Sequence, residues 1–134
     1  MSAEQFFDTN VILYLLSGDR ARADRAEAIL AQGGTISVQV LNEFAAVASR
    51  KLKMTYTEIG DVLATVRAVC RVVPVTQEMH DRALGLADRY RFAFHDAVIV
   101  AASLLAGCTV LVTEDMQDGQ KIEGQLTIRN PFLP

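Results

Sequence analysis

Short apolar runs alternate along the chain with longer segments in which apolar residues recur every three or four positions. The runs at 5–8, 35–37, 71–75, 109–113 and 126–129 have the length of strands. The longer segments, at 11–17, 20–32, 38–52, 55–69, 76–90 and 94–107, are typical of helices. The pattern therefore predicts five strands separated by helices.

Residues at the segment boundaries support this division. Gly33 and Gly34 follow the second helical segment and are typical of a helix end. Thr55 and Glu58 have the spacing of a capping box, and Thr76 is a suitable cap for the next helix. The third helical segment carries one apolar stripe, which predicts the face that it buries: Val38, Leu41, Ala45, Ala48 and Leu52.

Strands that alternate with helices predict a parallel sheet with right-handed crossovers and helices on both faces. The expected fold class is α/β, a three-layer α/β/α sandwich around a five-stranded parallel sheet. The segment at 94–107 is apolar on nearly every side, so we expect a central, buried helix. No repeat, low-complexity tract or linker interrupts the sequence, so residues 1–134 are expected to form a single domain.

The composition is that of an ordinary globular protein, with 22% charged residues and a net charge of −3. No apolar stretch reaches the roughly 18 residues that a membrane span requires. The first residues, MSAEQFF, lack the basic segment of a signal peptide. Cys70 and Cys108 lie among valines and leucines, which favours buried thiols in a reducing compartment over a disulfide. We therefore expect a cytoplasmic protein that does not enter a membrane.

Five acidic residues follow predicted strands or lie near the starts of predicted helices. Asp8 follows the first strand, and Asp115 and Asp118 follow the fourth. Glu43 and Asp96 lie in the first two turns of helices. In a parallel sheet, strand carboxyl ends and the starts of the following helices share one edge, where ligands bind in such folds. All five acids are therefore expected to point to the same edge.

Each acid also has a simpler explanation. Asp8 is a suitable helix N-cap, and Asp96 would complement a helix dipole. Asp115 and Asp118 are common turn residues, and Glu43 lies at the margin of its apolar stripe, where a solvated acid is equally expected. One shared site is the more economical explanation, because separate causes would each have to select an acid at the same edge.

Carboxylates that lie close together repel one another, so protons or a cation must neutralise them. Without a cluster of cysteines or histidines, an oxygen-only site suits Mg²⁺ or Mn²⁺. If a metal ion neutralised all five acids, the remaining surface would carry a small positive charge, which permits a polyanionic substrate. Metal ions in such sites support phosphate chemistry.

Five segments of the sequence are similar, in order, to those of the PIN-domain ribonucleases. They are DTNVILYLL at 8–16, SVQVLNEF at 37–44, FHDAVIVAAS at 94–103, LVTEDMQDG at 111–119 and TIRNPF at 127–132. The resemblance covers essentially the whole chain and is greatest to the VapC-type toxins of bacterial toxin–antitoxin operons. It implies an α/β/α sandwich, cleavage of RNA with Mg²⁺ or Mn²⁺, a cognate antitoxin as partner, and a homodimer.

The acidic positions of the family correspond to Asp8, Glu43, Asp96 and Asp115, and Asp118 resembles an auxiliary acid of some members. The metal ligands implied by this resemblance are Asp8, Asp96 and Asp115. Glu43 would bind the metal directly or hold the attacking water. The implied reaction is attack on a phosphodiester by metal-activated water, which leaves a 5′-phosphate and a 3′-hydroxyl.

Polar residues that the family often has at this edge would orient the carboxylates or a water molecule. Glu114, Asp115 and Asp118 crowd one loop, and the sequence does not show which of them contacts metal. The corresponding polar residues here are Thr9, Asn10, Ser37 and Thr113.

Three residues near the predicted site are candidates for substrate contact. Arg89 and Arg91 enter the loop before Asp96 and could meet RNA phosphates, although a solvated loop explains them equally well. His95 adjoins Asp96, where a structural or solvated histidine is the more common case. The sequence leaves these assignments open.

Two other protein classes also collect acids at a sheet edge. A haloacid-dehalogenase-like phosphatase has a second Asp two positions after the first, where this chain has Asn10. A receiver-like Mg²⁺-binding signalling module needs an acceptor Asp after the third strand, and Val73-Pro74-Val75 provides none. Labelling by a phosphoryl donor separates the classes, because stable Asp phosphorylation favours the receiver and metal-dependent RNA cleavage favours the nuclease.

Overall fold

A computed structural model describes residues 4–133, and this part of the chain forms six α-helices around a six-stranded sheet. The strands are β1 (Gln5–Phe7), β2 (Gly34–Ser37), β3 (Cys70–Val73), β4 (Val110–Val112), β5 (Lys121–Ile122) and β6 (Leu126–Arg129). The helices are α1 (Thr9–Leu13), α2 (Arg20–Ala31), α3 (Val38–Arg50), α4 (Tyr56–Val69), α5 (Gln77–Tyr90) and α6 (Phe94–Leu105), with a 3₁₀ helix at Tyr14–Leu16. The first three residues, on which the signal-peptide expectation partly rests, lie outside the described residues.

The strand order in the sheet is β3-β2-β1-β4-β6-β5. Neighbouring strands are parallel except β5, which pairs antiparallel with β6. The predicted α/β fold with a parallel sheet is confirmed, but the expected number of five strands is wrong by one. The additional strand, β5, has only two residues and is too short to show a periodic pattern in the sequence.

Helices cover both faces of the sheet, as expected. Right-handed crossovers place the helices that connect β1 to β2 and β2 to β3 on one face, and those that connect β3 to β4 on the other. The observed packing agrees, because α1 to α4 pack among themselves and α5 packs along α6. The three-layer arrangement predicted from the sequence is therefore confirmed.

The core runs through the centre of the sheet and along α6. Seven of the twelve residues of α6 are buried, as its apolar sequence predicts. From the central strands, Phe6, Phe7 and Leu111 are fully buried. The ladder between these strands continues one residue further, because Asp8 N donates to Val112 O at 3.0 Å. The backbone of Asp8 is therefore held by the sheet itself.

The predicted helix caps are present. Thr55 and Glu58 form a reciprocal capping box, and the Thr76 hydroxyl accepts a hydrogen bond from Met79 N at 3.2 Å. The first helix differs from the expectation of 11–17. It begins at Thr9, because Asp8 caps it, and gives way to the 3₁₀ helix after Leu13.

The buried face of α3 also differs from the predicted stripe. Val40, Phe44 and Ala48 are buried, and Ala48 is the only fully buried member of the predicted stripe. Leu41 and Ala45 pack half-buried against the core. Val38 is 37% exposed, and Leu52, which lies beyond the end of α3, is 47% exposed. The observed buried stripe and the predicted stripe lie side by side on α3, and both consist of apolar residues. The pattern of apolar positions alone therefore does not show which of the two faces the core. Tertiary packing selects the stripe that contains the large Phe44 side chain.

Both cysteines are buried, as expected. Burial raises the pKa of the Cys70 thiol to about 11 and also raises the pKa of Cys108. A protonated thiol is a poor nucleophile, so neither residue has the character of a reactive cysteine. Within residues 4–133, no helix combines the length and the apolar character needed to cross a membrane.

Candidate active site

Four acidic residues on four different elements lie at the carboxyl-end edge of the sheet. Asp8 follows β1, Asp115 follows β4, Glu43 lies in α3, and Asp96 lies in the first turn of α6. In the sheet, β1 has β2 and β3 on one side and β4 on the other, so the chain first builds the sheet outwards in one direction from β1 and then in the opposite direction. The carboxyl ends of β1 and β4 therefore form the topological switch point of the sheet, where ligands bind in folds of this kind.

Asp8 is the most buried of these acids, with only 3% of its surface exposed. Its Oδ1 accepts a hydrogen bond from Thr9 N at 2.7 Å, and its Oδ2 accepts one from the Thr113 hydroxyl at 2.9 Å. The first of these bonds makes Asp8 the N-cap of α1. Asp8 thus has the capping contact that its position suggested, and it faces the other acids as well.

The acids influence one another's ionisation. Burial raises the pKa of Asp8 from 3.8 to about 6, and the charges of Asp115 and Glu43 add to the rise, while the hydrogen bonds from Thr113 and Thr9 oppose it. Burial also raises the pKa of Glu43 and the pKa of Asp96. In both cases the charge of His95 opposes the rise. A bound cation would relieve this accumulation of negative charge.

Asn10 and Thr113 connect Asp8 to Asp115. Asn10 Nδ2 donates to Asp115 Oδ2 at 3.0 Å and to the Thr113 hydroxyl at 3.1 Å. The Thr113 hydroxyl also accepts a hydrogen bond from Asp115 N at 3.1 Å. Asn10 Oδ1 in turn accepts one from Glu114 N at 3.3 Å. The start of the loop after β4 is therefore fixed against α1 through both side-chain and backbone groups.

Glu43 has one oxygen in a hydrogen bond and one without a hydrogen bond of good geometry. Its Oε2 lies 2.7 Å from His95 Nε2, a contact that becomes an ion pair when the imidazole is protonated. Its Oε1 and the Thr9 hydroxyl oxygen beside Asp8 are buried and have no hydrogen bond of good geometry to the described residues. The Gln39 and Thr9 side chains nevertheless lie close enough to Glu43 to lower its pKa in part. Buried oxygens without partners are unusual, and here they can accept a cation or a water molecule.

The donor set suits a hard divalent cation, because every candidate ligand is an oxygen. Within residues 4–133, no three Asp, Glu, His or Cys side chains are arranged so that they alone would hold an ion. Mg²⁺, however, usually keeps several waters and takes only one or two protein carboxylates together with substrate phosphates. The residues at this edge fit an ion that binds in that manner.

The three acids in the loop after β4 point to different partners. Asp115 joins the network of Asp8 and Asn10, whereas Glu114 accepts a hydrogen bond from the Tyr14 hydroxyl at 2.7 Å. Asp118 Oδ1 accepts one from Asn130 N at 2.8 Å and so anchors the carboxy-terminal segment. Long-range contacts therefore give the three acids different surroundings, and of the three it is Asp115 whose carboxylate is hydrogen-bonded to Asn10 in the network of Asp8.

The remaining predicted residues have separate environments. Ser37 caps α3 by accepting a hydrogen bond from Val40 N at 3.4 Å. Arg89 lies 2.7 Å from Glu123 in the turn before β6, at the opposite edge of the sheet from the acids. Arg91 is exposed and ends α5 in a left-handed conformation, with φ of 62°. Only His95 of the three substrate-contact candidates contacts one of the four acids.

A cavity of about 550 Å³ opens beside Glu43, between α3 and the start of α6. Its walls are mainly apolar, and Gln39 and Asn42 add amide groups. Sequence reasoning did not identify these two residues as part of the site. The signal was present, since Gln39, Asn42 and Glu43 have the i, i+3, i+4 spacing that places side chains on one helix face.

Comparison with known proteins identifies the family. Residues 6–117 match the PIN domain, and the chain therefore belongs to the PIN-domain family, as its sequence motifs indicated. It is similar in structure to a toxin–antitoxin complex from Klebsiella pneumoniae, with 23% identity, 96% of this chain and 98% of that chain covered, and a TM-score of 0.71. No curated protein gives a significant match.

Two further solved structures share the fold. VapC20 from Mycobacterium tuberculosis, described as a toxin that cleaves the sarcin–ricin loop, has 23% identity, coverage of 80% of this chain and 86% of that chain, and a TM-score of 0.65. VapBC2 from Rickettsia felis, bound to a fragment of its promoter DNA, has 16% identity, coverage of 94% and 97%, and a TM-score of 0.66. At these identities the likeness establishes a common fold.

The hydrogen bond from Thr113 to Asp8 gives a direct test of the site's electrostatics. Because this bond lowers the pKa of Asp8, Thr113→Val is expected to raise that pKa further above about 6 in metal-free protein. Thr113→Ser keeps the hydroxyl and is expected to leave the pKa near its original value. Carboxyl ¹³C NMR titration of the two variants measures both outcomes. An unchanged Asp8 midpoint in Thr113→Val would contradict the assigned hydrogen bond.

Proposed function

We propose that this protein is a Mg²⁺- or Mn²⁺-dependent endoribonuclease that acts as the toxin of a type II toxin–antitoxin pair. The observation that carries the proposal is the meeting of Asp8, Glu43, Asp96 and Asp115 at the switch point of a PIN domain. Burial and mutual repulsion raise the pKa of the three most enclosed acids, Asp8, Glu43 and Asp96. Sites with such perturbed carboxylates are candidates for metal binding and catalysis.

Each acid has a defined role in this proposal. Asp8, Asp96 and Asp115 would hold the metal ion, directly or through its bound waters, and Asn10 keeps the Asp115 carboxylate turned towards Asp8. A divalent ion bound here would activate water and stabilise negative charge on the phosphodiester oxygens. Glu43 Oε1 has no hydrogen bond of good geometry to the described residues and is suited to hold the attacking water and accept its proton.

The cavity beside Glu43 gives an RNA strand room next to the scissile phosphate. An unstacked base fits a mainly apolar cavity of about 550 Å³ that also offers amide groups for hydrogen bonds. His95 stands at the border between the cavity and the acids and is the residue we assign to substrate contact. Arg91 remains a solvent-facing candidate for a phosphate contact, whereas Arg89 is already paired with Glu123.

The rival phosphatase and receiver classes receive less support. Asn10, at the position where the phosphatase has its second Asp, donates to Asp115 and Thr113 and so acts as a structural amide. The segment after β3 offers Pro74 and Val75 where a receiver has its phosphate acceptor. Neither class is consistent with the match of residues 6–117 to the PIN domain.

A cognate antitoxin is the proposed protein partner. A groove of about 280 Å³ between α1, the 3₁₀ helix and the end of α3 is lined by Leu13, Leu16 and Leu52, and it reaches Asn10 at the acidic edge. An apolar antitoxin segment in this groove would bury these leucines and obstruct access to the acids. The similar toxin–antitoxin complex and VapBC2 structures support this partner class. We further propose that the protein forms a homodimer and acts on RNA in the cytoplasm.

The ribonuclease proposal predicts metal-dependent cleavage of RNA. Chelation with EDTA is expected to abolish cleavage, and added Mg²⁺ or Mn²⁺ is expected to restore it. At limiting Mg²⁺, Asp115→Asn is expected to lower the rate at least ~100-fold because it removes a ligand, whereas Asp118→Asn is expected to cost roughly tenfold or less. Asp118 serves as the matched control because its carboxylate is bonded to Asn130 N. The measurement is the cleavage rate of labelled RNA as metal is titrated.

Two results would count against this assignment. Cleavage that persists in EDTA and in Asp8→Asn would indicate a contaminant or another mechanism. If Asp118→Asn proved less active than Asp115→Asn, the assignment of ligands within the loop after β4 would be wrong.

The toxin role predicts growth arrest when the wild-type protein is expressed without an antitoxin. Asp96→Asn is expected to be harmless, because it removes a proposed metal ligand in the first turn of α6 while the apolar core of the helix is unchanged. Growth curves after induction, with immunoblots to match the protein levels, measure the difference. Equal toxicity of the two proteins would refute the toxin assignment.

A further inference from the structure

A hydrogen-bonded cluster of Tyr14, Arg22 and Glu114 lies next to the proposed metal site. The Tyr14 hydroxyl is 2.7 Å from both carboxylate oxygens of Glu114. Arg22 Nη1 donates to the Tyr14 hydroxyl at 3.0 Å and lies 3.5 Å from Glu114 Oε2. Burial and the neighbouring Glu114 raise the pKa of Tyr14, so the hydroxyl keeps its proton and acts as the donor to the carboxylate.

The cluster is braced by two ring contacts. The Arg22 guanidinium lies 5.3 Å from the centroid of the Tyr14 ring, within the range of a cation–π contact. The same ring packs against Phe132 of the carboxy-terminal segment at a centroid distance of 4.4 Å. Tyr14 is therefore fixed by its ring as well as by its hydroxyl, and it can hold Glu114 in one place.

Glu114 directly precedes Asp115, so its position sets the backbone from which the Asp115 side chain extends. Glu114 N donates to Asn10 Oδ1, while the Glu114 carboxylate is held by Tyr14. The Asp115 side chain is exposed, so contacts with the protein core do not fix its conformation. The orientation of its carboxylate depends on the hydrogen bonds that fix the loop.

We propose that Tyr14, Arg22 and Glu114 are positioning residues for Asp115 and hold its carboxylate where the metal ion is bound. The inference rests on the proposed metal-dependent function of the acidic edge. It assigns a role to Glu114 that differs from metal ligation, because the Glu114 carboxylate contacts Tyr14 and Arg22, whereas the Asp115 carboxylate is hydrogen-bonded to Asn10 beside Asp8. Interactions of this kind around metal ligands typically change metal affinity 10–100-fold.

The described residues include a second cluster of a tyrosine, an arginine and a glutamate, which serves as a control, although its tyrosine hydroxyl also accepts a hydrogen bond from Glu123 N at 3.0 Å. Tyr90 donates to Glu123 Oε2 at 3.1 Å, and Arg89 Nη1 lies 2.7 Å from the same oxygen. The Arg89 guanidinium is 5.2 Å from the centroid of the Tyr90 ring. This cluster lies at the turn before β6, at the opposite edge of the sheet from the acids.

The experiment compares Tyr14→Phe with Tyr90→Phe in the full-length protein. Each variant loses one hydroxyl that is bonded to a carboxylate and keeps its ring. Binding of Mn²⁺, followed by the electron paramagnetic resonance signal of the free ion, is expected to weaken about tenfold in Tyr14→Phe and to be unchanged in Tyr90→Phe. Cleavage of RNA by Tyr14→Phe is expected to fall at limiting Mn²⁺ and to recover at saturating Mn²⁺. Thermal unfolding of both variants shows how much stability each hydroxyl contributes.

A third variant separates positioning from folding. Glu114→Gln keeps one acceptor for the Tyr14 hydroxyl and is expected to retain Mn²⁺ affinity better than Glu114→Ala, which keeps none. The proposal is overturned if wild-type protein binds Mn²⁺ and cleaves RNA but the two tyrosine variants bind Mn²⁺ equally well. It is also overturned if, in Tyr14→Phe and Tyr90→Phe alike, the loss of Mn²⁺ affinity is proportional to the loss of thermal stability. If the wild type neither binds Mn²⁺ nor cleaves RNA, the proposed function itself fails.

Discussion

The burial of the Asp8 carboxylate is the constraint on which the proposed site depends. Two hydrogen bonds hold the carboxylate at the end of the central strand β1, yet burial still raises its pKa from 3.8 to about 6. A change of this size corresponds to a cost on the order of 3 kcal/mol for keeping the group charged at neutral pH. Because the pKa is raised in the folded state, the contribution of Asp8 to the free energy of unfolding of metal-free protein falls as the pH rises from about 4 to about 6. A cation at the site would remove much of this cost, which couples metal binding to stability.

The order of the strands explains why the acids meet. Since β1 has β2 on one side and β4 on the other, residues that follow β1 and β4 become neighbours although they are more than a hundred positions apart in the chain. The buried helix α6 brings Asp96 to the same edge from the other face of the sheet. The site thus combines carboxylates on rigid elements with one, Asp115, on a loop. That loop is held by Asn10 and, through Glu114, by Tyr14. Precise placement of this kind is what metal chemistry requires.

Much of the architecture could be predicted from the sequence because local patterns encode it. Five parallel strands, the capping box of α4 and the apolar character of α6 each have a signal within a few residues. The two-residue strand β5 has no such signal, and the buried face of α3 was ambiguous because both candidate stripes are apolar. The roles of Glu114, Asp115 and Asp118 could not be separated for a different reason. Three acids within five positions are chemically alike, and only their partners, which lie 12 to 105 residues away, distinguish them.

The central claim is that Asp8, Asp96 and Asp115 form one divalent-metal site. It is tested most directly by anomalous diffraction from crystals of the protein soaked in Mn²⁺. The account predicts an anomalous peak at the carboxyl ends of β1 and β4, with carboxylate oxygens of at least two of these residues at a coordination distance of about 2.1 Å. An ion bound at Glu114 or Asp118, or the absence of a peak at this edge at saturating Mn²⁺, would contradict it.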